Sequence, residues 1–188
     1  RSDDSGQTWN RIHTALQTAV RDVDMAYDQN GDLLVLMASY GGGLQLIDVN
    51  GTLGATLTGS GQGLYLRHAE VRDDFGTTGL AMIVGSGVLR RTSNAGETWE
   101  VVNDDAGETQ LLASSPRSGS AARWFSNATL AGTTSFYESS DQGLTWQRGS
   151  VDIPCAGSGS AMAPSSNFDS DGIIWGSCTG DGSVYQST

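Results

Sequence analysis

The sequence of 188 residues contains no lysine, only two cysteines and two histidines, and no apolar run of about 18 residues. Its ten basic residues, all arginine, are outnumbered by 21 acidic residues, which gives a net charge of −11. Such a charge argues against nucleic acid and anionic membrane surfaces as partners. The missing apolar run means that no direct membrane insertion is predicted. The few histidines and cysteines show no pair at the spacing of a zinc site.

What the sequence does contain is an eight-residue phrase that occurs three times. The shared pattern is Ser/Thr-x-Asp/Asn-x-Gly-x-Thr-Trp, and its structural positions are Ser2, Asp4, Gly6, Thr8 and Trp9, then Thr92, Asn94, Gly96, Thr98 and Trp99, then Ser139, Asp141, Gly143, Thr145 and Trp146. The Asp or Asn side chain can bond neighbouring backbone amides, and the glycine supplies the positive φ of a tight turn. The threonine and tryptophan favour a strand. Each copy is therefore predicted to be a hairpin turn that leads into a strand.

The copies are regularly spaced along the chain. Gly6, Gly96 and Gly143 are 90 and 47 residues apart, and half of the first interval points to Gly51. Residues 46–53 keep that glycine and a threonine but end in leucine, so we interpret them as a degenerate copy. Within each unit, short apolar segments alternate with Gly/Asp/Asn turns, which predicts a meander of four antiparallel strands. Four strands in a repeat of about 45 residues are typical of a propeller blade.

The phrases resemble Asp-boxes, also called bacterial neuraminidase repeats, and the resemblance covers essentially the whole chain. It implies an all-β fold: a β-propeller, or a segment of one, with four-stranded antiparallel blades. The Asp-box hairpin would join the third and fourth strands of a blade, on the face away from the ligand site. The predicted units are approximately residues 10–57, 58–102, 103–149 and 150–188, with residues 1–9 as an outer strand. Sialidase-like, xyloglucanase-like and sortilin-like propellers share this repeat, so it predicts the fold and leaves the function open.

The chain starts inside one phrase and stops at the beginning of another. Residues 1–9 could complete the last blade and close a four-bladed ring, or the chain could be a segment of a longer propeller. We favour the segment, because ring closure would interrupt the chain within its tightest turn. An unclosed set of blades leaves sheet edges that need partners, so further blades or chains are expected to complete the propeller.

Cys155 and Cys178 are the only two cysteines. The first lies just before the innermost predicted strand of the last unit, and the second ends the next strand, so antiparallel pairing can bring them together. We predict a disulfide on the ligand-side face and, with it, an oxidising location: secreted, periplasmic or at the cell surface. The alternative is two free thiols in a cytosolic protein.

In a propeller, the crossovers between blades and the turns after the second strands share one face. Possible ligand contacts there are Arg11, His13, Arg21, Tyr40, Arg67, His68, Asp104, Asp105, Asp152 and Asp181. Arginine, tyrosine and carboxylate side chains together suit a sugar or a carboxylate ligand. The plainer interpretation of each residue is a solvated loop side chain.

No catalytic residue and no metal site are predicted. A sialidase-like site would need three arginines on one carboxylate, a Tyr–Glu pair and an acidic Asp, and the sequence offers no clear match. A two-carboxylate glycosidase stays open, because Asp104, Asp105, Asp152 and Asp181 could line the axis. Residues 28–32 and 169–172 resemble calcium loops but lack the closing glutamate, so tight turns explain them better and no cofactor is expected.

The sequence therefore predicts a noncatalytic, extracytoplasmic β-propeller module that binds a protein or a glycan. The alternative is part of a glycoside hydrolase, sialidase-like or xyloglucanase-like, whose catalytic residues lie partly outside this segment. A cluster of convergent carboxylates and arginines with shifted pKa values at the axial mouth would favour the alternative.

Overall fold

A computed structural model describes residues 1–11, 19–48, 53–56, 65–72, 74–85, 88–102, 108–115, 122–130, 133–150, 152–155, 159–180 and 182–187. The fold is all-β, with four antiparallel sheets of three or four strands. In every sheet the strands pair in chain order, so each sheet is a simple meander. Residues 49–52 of the degenerate phrase copy, including Gly51, lie outside the described residues.

The strands are numbered in chain order. The first sheet contains β1 (Val20–Tyr27), β2 (Leu33–Ser39), β3 (Gly43–Asp48) and β4 (Leu53–Thr56). The second contains β5 (Leu66–Val71), β6 (Leu80–Gly85), β7 (Val88–Ser93) and β8 (Glu100–Val102). The third contains β9 (Glu108–Ser114), β10 (Trp124–Leu130), β11 (Thr133–Ser139) and β12 (Gln147–Arg148). The fourth contains β13 (Gly159–Pro164), β14 (Ile174–Cys178) and β15 (Val184–Gln186).

Two short helices join the first and second strands of their sheets. They are α1 (Phe75–Thr78) in the second sheet and α2 (Phe168–Asp171) in the fourth. In the first sheet the same connection is a tight turn, in which Asp28 Oδ1 accepts the amides of Asn30 at 2.8 Å and Asp32 at 2.9 Å. No helix in the described ranges is long and apolar enough to cross a membrane.

The sheets pack face to face in chain order, with their first strands side by side. β1 contacts β5, β5 contacts β9, and β9 contacts β13. Among the described residues, no comparable contact joins β13 back to β1. The sequence follows this arrangement: β6 is apolar and buried along its whole length, because its sheet lies between two others.

Apolar side chains fill the spaces between neighbouring sheets. Between the first and second sheets they include Leu36, Leu44, Leu66, Phe75 and Ile83. Between the second and third sheets they include Met82, Val84, Leu89, Leu112 and Trp124. Between the third and fourth sheets, the ring of Phe125 meets that of Phe168 edge to face at 4.8 Å. Burial of such faces supplies most of the driving force that holds the sheets together.

The three phrase copies fold into turns with one hydrogen-bond pattern. In the third copy, Asp141 Oδ1 accepts from the Ser139 hydroxyl at 2.8 Å and from the Thr145 amide at 2.9 Å, and its Oδ2 accepts from the Thr145 hydroxyl at 2.6 Å. The first copy repeats these contacts around Asp4. In the second copy Asn94 takes the same role, and its Nδ2 donates to the Thr98 hydroxyl at 2.8 Å.

The tryptophans that end the phrases have different surroundings. Trp99 packs on the core between the first and second sheets, and Trp146 packs on the core between the second and third. Each therefore contacts the core between its own sheet and the preceding one. Trp9 packs on neither of these two cores, and 75% of its surface is exposed.

The two cysteines form a disulfide within the fourth sheet. Cys155 and Cys178 have their Cα atoms 5.7 Å apart, and both are buried. The bond connects the segment before β13 to the end of β14, and the hydroxyl of Tyr185 also donates to the carbonyl of Pro154 at 2.8 Å. These contacts hold together the smallest of the four sheets.

Candidate functional site

Two tyrosines and an arginine form an exposed stack at the junction of the first and second sheets. The ring centroids of Tyr40 and Tyr65 are 3.9 Å apart with an interplanar angle of 29°. The guanidinium carbon of Arg21 lies 5.0 Å from the centroid of the Tyr40 ring. The two tyrosines are 43% and 51% exposed. This group, Arg21 with Tyr40 and Tyr65, is called the tyrosine stack below.

The backbone explains why these side chains meet. Tyr40 follows β2, its amide donates to the Ala19 carbonyl at 2.9 Å, and it pairs with Tyr65 in an isolated bridge just before β5. A register shift in β1 between Val20 and Asp22 takes Arg21 out of the regular alternation of side chains. Gly85 permits the close approach of Tyr65, because a Cβ atom at Gly85 would lie 2.3 Å from the Tyr65 carbonyl oxygen.

Four ionisable side chains gather on the first strands of the first two sheets. Asp22 and Asp24 project from β1, and His68 and Glu70 project from β5. His68 Nδ1 donates to Asp22 Oδ2 at 2.8 Å, and its Nε2 lies 3.8 Å from Glu70 Oε2. This group of four is called the inner-strand cluster.

The environment of the cluster shifts its pKa values. Burial alone would lower the pKa of His68, but the hydrogen bonds and charges of Asp22 and Glu70 raise it to about 10. Burial would raise the pKa of Asp22, yet the partner His68 holds it below its usual value. For Asp24, burial raises the pKa against the opposing effect of the Val71 amide, and the charges of Glu70 and Asp22 add to the increase.

Each carboxylate of the cluster also accepts a backbone amide from the next sheet. Asp22 Oδ2 accepts the amide of Ala69 at 3.0 Å, and Asp24 Oδ2 accepts that of Val71 at 2.7 Å. Glu70 Oε1 accepts both the amide and the hydroxyl of Ser114, at 2.8 and 2.7 Å. A first strand is the edge of its sheet, so these amides have no partner strand, and the carboxylates satisfy them. We call these contacts edge clamps.

The edge clamps recur at equivalent positions. Every first strand has one register shift, after which the pairing resumes. At each shift, the register skips one residue of the first strand, which is called the shift residue. The four shift residues are Arg21, Arg67, Gln110 and Ser160. The position three residues after the shift residue is that of the clamp acceptor, and it is occupied by Asp24, Glu70, Ala113 and Ala163 in the four sheets. The position four residues after it is that of the clamp amide, and it is occupied by Met25, Val71, Ser114 and Pro164. A clamp joins Asp24 to Val71 and Glu70 to Ser114. The third sheet has Ala113, with no carboxylate, where the facing residue is Pro164, which has no amide hydrogen.

The cluster is therefore accounted for by structural contacts. All three of its carboxylates bond backbone amides of a neighbouring sheet, and Asp22 additionally fixes the imidazole of His68. With a pKa near 10, His68 is an imidazolium at neutral pH and cannot act as a base there. No group of three or more metal-ligating side chains suitable for a metal ion occurs among the described residues.

The structure distributes the sequence-predicted ligand residues among several places. Arg21 and Tyr40 join the tyrosine stack, and His68 joins the inner-strand cluster. Arg67, the shift residue of β5, is exposed. Asp152 binds Arg148 Nη2 at 2.6 Å and the Ser135 hydroxyl at 2.8 Å, so it lies beside β11 and β12.

For the other five predicted ligand residues, the structure gives no contact distances. Arg11 is exposed at the end of the first described range. His13, Asp104, Asp105 and Asp181 lie outside the described residues.

Sequence reasoning missed Tyr65 and three of the four cluster residues. Asp22 and Asp24, like His68 and Glu70, are two residues apart in the sequence, so each pair shares one face once its segment forms a strand. That alternation of charged side chains on a strand is unusual for a buried first strand and could have identified the cluster. Tyr65 had no comparable signal, because its partner Tyr40 is distant in the sequence.

Comparison with known proteins relates the chain to others at the level of fold. No protein-family model matches it, and no curated protein matches it. Among solved structures, the chain is similar to the GH74 xyloglucanase from Xanthomonas campestris, with a TM-score of 0.58 and 16% sequence identity. The match covers 82% of this chain and 25% of the xyloglucanase, so the chain spans about a quarter of that protein's length. At this identity the likeness concerns the fold alone.

Proposed function

We propose that the chain is a noncatalytic part of an extracytoplasmic β-propeller that binds a glycan through its tyrosine stack. The observation that carries the proposal is the pair of stacked, half-exposed rings of Tyr40 and Tyr65 beneath an arginine. Large aromatic side chains held outside a core supply a contact surface at low entropic cost.

The chemistry of the stack fits a sugar ring. One face of a pyranose consists of C–H groups, which pack on an aromatic ring, while its hydroxyls need hydrogen-bond partners. Arg21 offers a planar fork of donors beside the rings, suited to hydroxyl or carboxylate oxygens. The net charge of −11 disfavours polyanionic ligands and leaves neutral or weakly acidic glycans as the preferred class.

The propeller assignment is part of the proposal. It is supported by four antiparallel meander sheets packed through their first strands and by the likeness to a GH74 xyloglucanase. A disulfide in a short sheet supports a location outside the reducing cytosol. Scaffolding or protein binding through the same propeller face is compatible with this arrangement.

A second candidate is part of a glycoside hydrolase. The observation in its favour is the inner-strand cluster, where the pKa values of Asp22 and Asp24 are pushed in opposite directions. Its catalytic residues would lie partly outside this chain. The edge clamps favour the noncatalytic function, because carboxylates bonded to backbone amides are held as structural groups.

Affinity electrophoresis in gels that contain xyloglucan, mixed-linkage β-glucan or a sialylated glycoprotein tests the proposal. We expect retardation by at least one neutral glycan, and a roughly fivefold or greater loss of affinity in Tyr40→Ala and Tyr65→Ala, since a stacked ring contributes about 1–3 kcal/mol. The matched control is Tyr27→Ala, which removes an exposed tyrosine from β1. Equal retardation of all three variants would refute binding by the stack.

The hydrolase candidate is tested on the same glycans by release of reducing ends. The proposal expects none from the wild-type chain. Release that disappears in Asp24→Asn, in a variant that still folds, would establish the second candidate in place of the first.

A further inference from the structure

A groove of about 400 Å³ lies between the first and second sheets. The turn from β1 to β2 forms one of its walls, and α1 together with the second phrase turn forms the other. The tyrosine stack lies where β2 ends and β5 begins, so the groove and the stack occupy opposite edges of the same two sheets. A groove of this volume falls within the size range of small-molecule sites.

Two close backbone contacts fix the walls of the groove. A Cβ atom at Gly76 of α1 would lie 2.4 Å from the carbonyl oxygen of Asp28, so a glycine is needed where the two walls meet. Gly79, with a φ of 61°, accepts the amide of Ala95 on its carbonyl at 3.0 Å, and this bond ties the second phrase turn to the end of α1. The groove is therefore built by specific backbone contacts and is present before any ligand binds.

The floor of the groove is apolar. Leu34, Leu46 and Phe75 line it. The two leucines are partly buried against the core between the first and second sheets, and Phe75 belongs to that core. An apolar group placed on this floor loses its contact with water, which favours binding. The floor therefore suits the apolar part of a ligand.

The rim of the groove is polar and acidic. It includes Asp28, Gln29, Thr77, Ser93 and Glu97. The carboxylate of Asp28 accepts the amides of Asp32 and Asn30, and these bonds lower its pKa below the usual value. Asp28 is therefore held in a fixed orientation and is negatively charged at neutral pH.

Glu97 is a carboxylate that the fold does not use. It is exposed, and within the described ranges its side chain takes part in no hydrogen bond or ion pair. The residues at the same position of the first and third phrase copies are Gln7 and Leu144. The phrase turn therefore does not require a carboxylate here, and Glu97 leaves an uncompensated negative charge beside the groove.

The charges around the groove select the sign of the ligand. Among the residues that the structure describes, no arginine or histidine lines the groove, and the whole chain contains no lysine. An anion would be repelled by Asp28 and Glu97, whereas a cation is attracted by both. An apolar floor beneath an acidic rim matches a molecule that has an apolar part and a positive charge.

We propose that this groove binds a small organic cation, an ammonium group on a short apolar stem. The stem packs on Leu34 and Leu46. The ammonium group faces Asp28 and Glu97, and its three N–H donors bond oxygen atoms of the rim. The volume limits the ligand to a small molecule, because a stable protein interface needs a much larger contact surface. The site lies on the opposite edge from the tyrosine stack and does not depend on the proposed function.

An NMR titration of the backbone amides tests the proposal with three ligands that share one stem. Hexylammonium, hexanol and hexanoate carry a positive, a neutral and a negative head group. We expect hexylammonium at millimolar concentrations to shift the amides of Gln29, Thr77 and Glu97 to saturation. Hexanol should bind more weakly, and hexanoate should not bind. The amides of Tyr40 and Tyr65 should not shift.

Two substitutions at the rim test the placement of the ligand. Glu97→Gln introduces the residue that the first phrase copy has, so the turn is kept, and it should weaken hexylammonium binding about threefold, the size of one exposed ion pair. Thr77→Arg changes an exposed residue and should abolish binding, because it places a cation of the chain at the rim. The matched control, Glu138→Gln, removes the same charge from the third sheet and should leave the affinity unchanged.

Four results would overturn the proposal. One is a wild-type chain whose groove amides do not respond to hexylammonium. Another is equal affinity for hexylammonium and hexanol, which would show that the rim does not recognise charge. The third is unchanged binding in Thr77→Arg, which would place the ligand elsewhere. The fourth is a capped lysine peptide that binds more than about tenfold tighter than hexylammonium, which would make the groove part of a peptide interface.

Discussion

At the scale of single residues, each phrase turn is held by two side-chain acceptors: the Ser or Thr hydroxyl at its start, which accepts the glycine amide, and the Asp or Asn side chain. Asp4 and Asp141 accept three hydrogen bonds apiece within their turns. These bonds lower the pKa of Asp4 to about 2, with the Thr8 hydroxyl as the largest contribution. The pKa of Asp141 is also lowered, because the bonds from Thr145 and Ser139 outweigh the effect of burial. Since Asn94 fills the same role, the turn requires an acceptor at this position and can do without a charge.

We predict that Asp141→Ala lowers the free energy of unfolding by about 1–2 kcal/mol, because three donors lose their partner. Asp141→Asn should cost less than about 0.5 kcal/mol, as Asn94 shows that an amide fits. Urea denaturation of the two variants measures the difference. The pKa of the Asp141 carboxyl is lowered in the folded protein. Its contribution to the free energy of unfolding is therefore present above pH 3.8 and is lost as the pH falls through the pKa of the folded state. Asp141→Asn should remove this pH dependence. An asparagine as costly as alanine would contradict this account.

A second residue-scale prediction concerns His68. Its folded pKa of about 10 exceeds the usual 6.5, so its contribution to stability is complete below pH 6.5 and is lost as the pH rises towards 10. Between pH 6 and pH 9 the free energy of unfolding should fall by about 3 kcal/mol. Urea titrations at both pH values measure it. The same fall in His68→Gln would show that another group is responsible.

At the scale of strands and sheets, the edge clamps tie the first strand of the first sheet to that of the second, and that of the second to that of the third. The register shift in every first strand sets which side chains face the neighbouring sheet, and the carboxylates of Asp24 and Glu70 stand at equivalent places after it. Pro164 of the fourth sheet has no amide hydrogen to donate, and the facing residue of the third sheet is Ala113, which has no carboxylate. The clamps thus appear only where an edge amide needs them.

We predict that Glu70→Ala lowers the free energy of unfolding by about 1–3 kcal/mol and speeds hydrogen exchange at the Ser114 amide, because that amide loses its acceptor. Glu70→Gln keeps an acceptor oxygen and should protect the Ser114 amide nearly as well as the wild type does. Exchange monitored by NMR or mass spectrometry checks both variants. Equal exchange rates in Glu70→Ala and in the wild type would mean that the clamp contributes nothing.

At the scale of the whole molecule, the fourth sheet is the least supported of the four. Within the described ranges it contains three strands, and Trp175 of β14 is 45% exposed. The Cys155–Cys178 disulfide closes a loop across its first two strands with a sequence separation of 23 residues. The covalent link therefore ties the segment before β13 to the end of β14.

We predict that reduction of the disulfide lowers stability by about 3 kcal/mol, the loop-closure contribution for a segment of this length. Thermal unfolding with and without a reductant measures the change, and hydrogen exchange should place the loosening in β13 and β14. The double variant Cys155→Ser/Cys178→Ser should unfold like the reduced wild type and show no response to the reductant. If the reductant leaves the wild-type midpoint unchanged, the bond contributes no stability.

Much of the local architecture could be predicted from the sequence because its causes are local. The repeated phrase places donors and acceptors within seven residues of one another, so its turns do not depend on distant partners. Alternating short apolar segments and glycine-rich turns indicated antiparallel meanders, and the structure shows four such sheets. The positions of Cys155, just before one predicted strand, and of Cys178, at the end of the next, indicated the bond that the structure shows.

Contacts between sheets were decided only by the tertiary structure. Tyr40 and Tyr65 stack because the end of β2 and the start of β5 meet at one junction, which no sequence spacing reveals. The edge clamps depend on register shifts in the first strands, and a shift of one residue turns every later side chain to the other face. The sequence by itself determined the turns, the meanders and the cysteine pair, since each depends on residues that are close along the chain. The tertiary structure decided the tyrosine stack, the inner-strand cluster and the edge clamps, since each depends on how one sheet is placed against another.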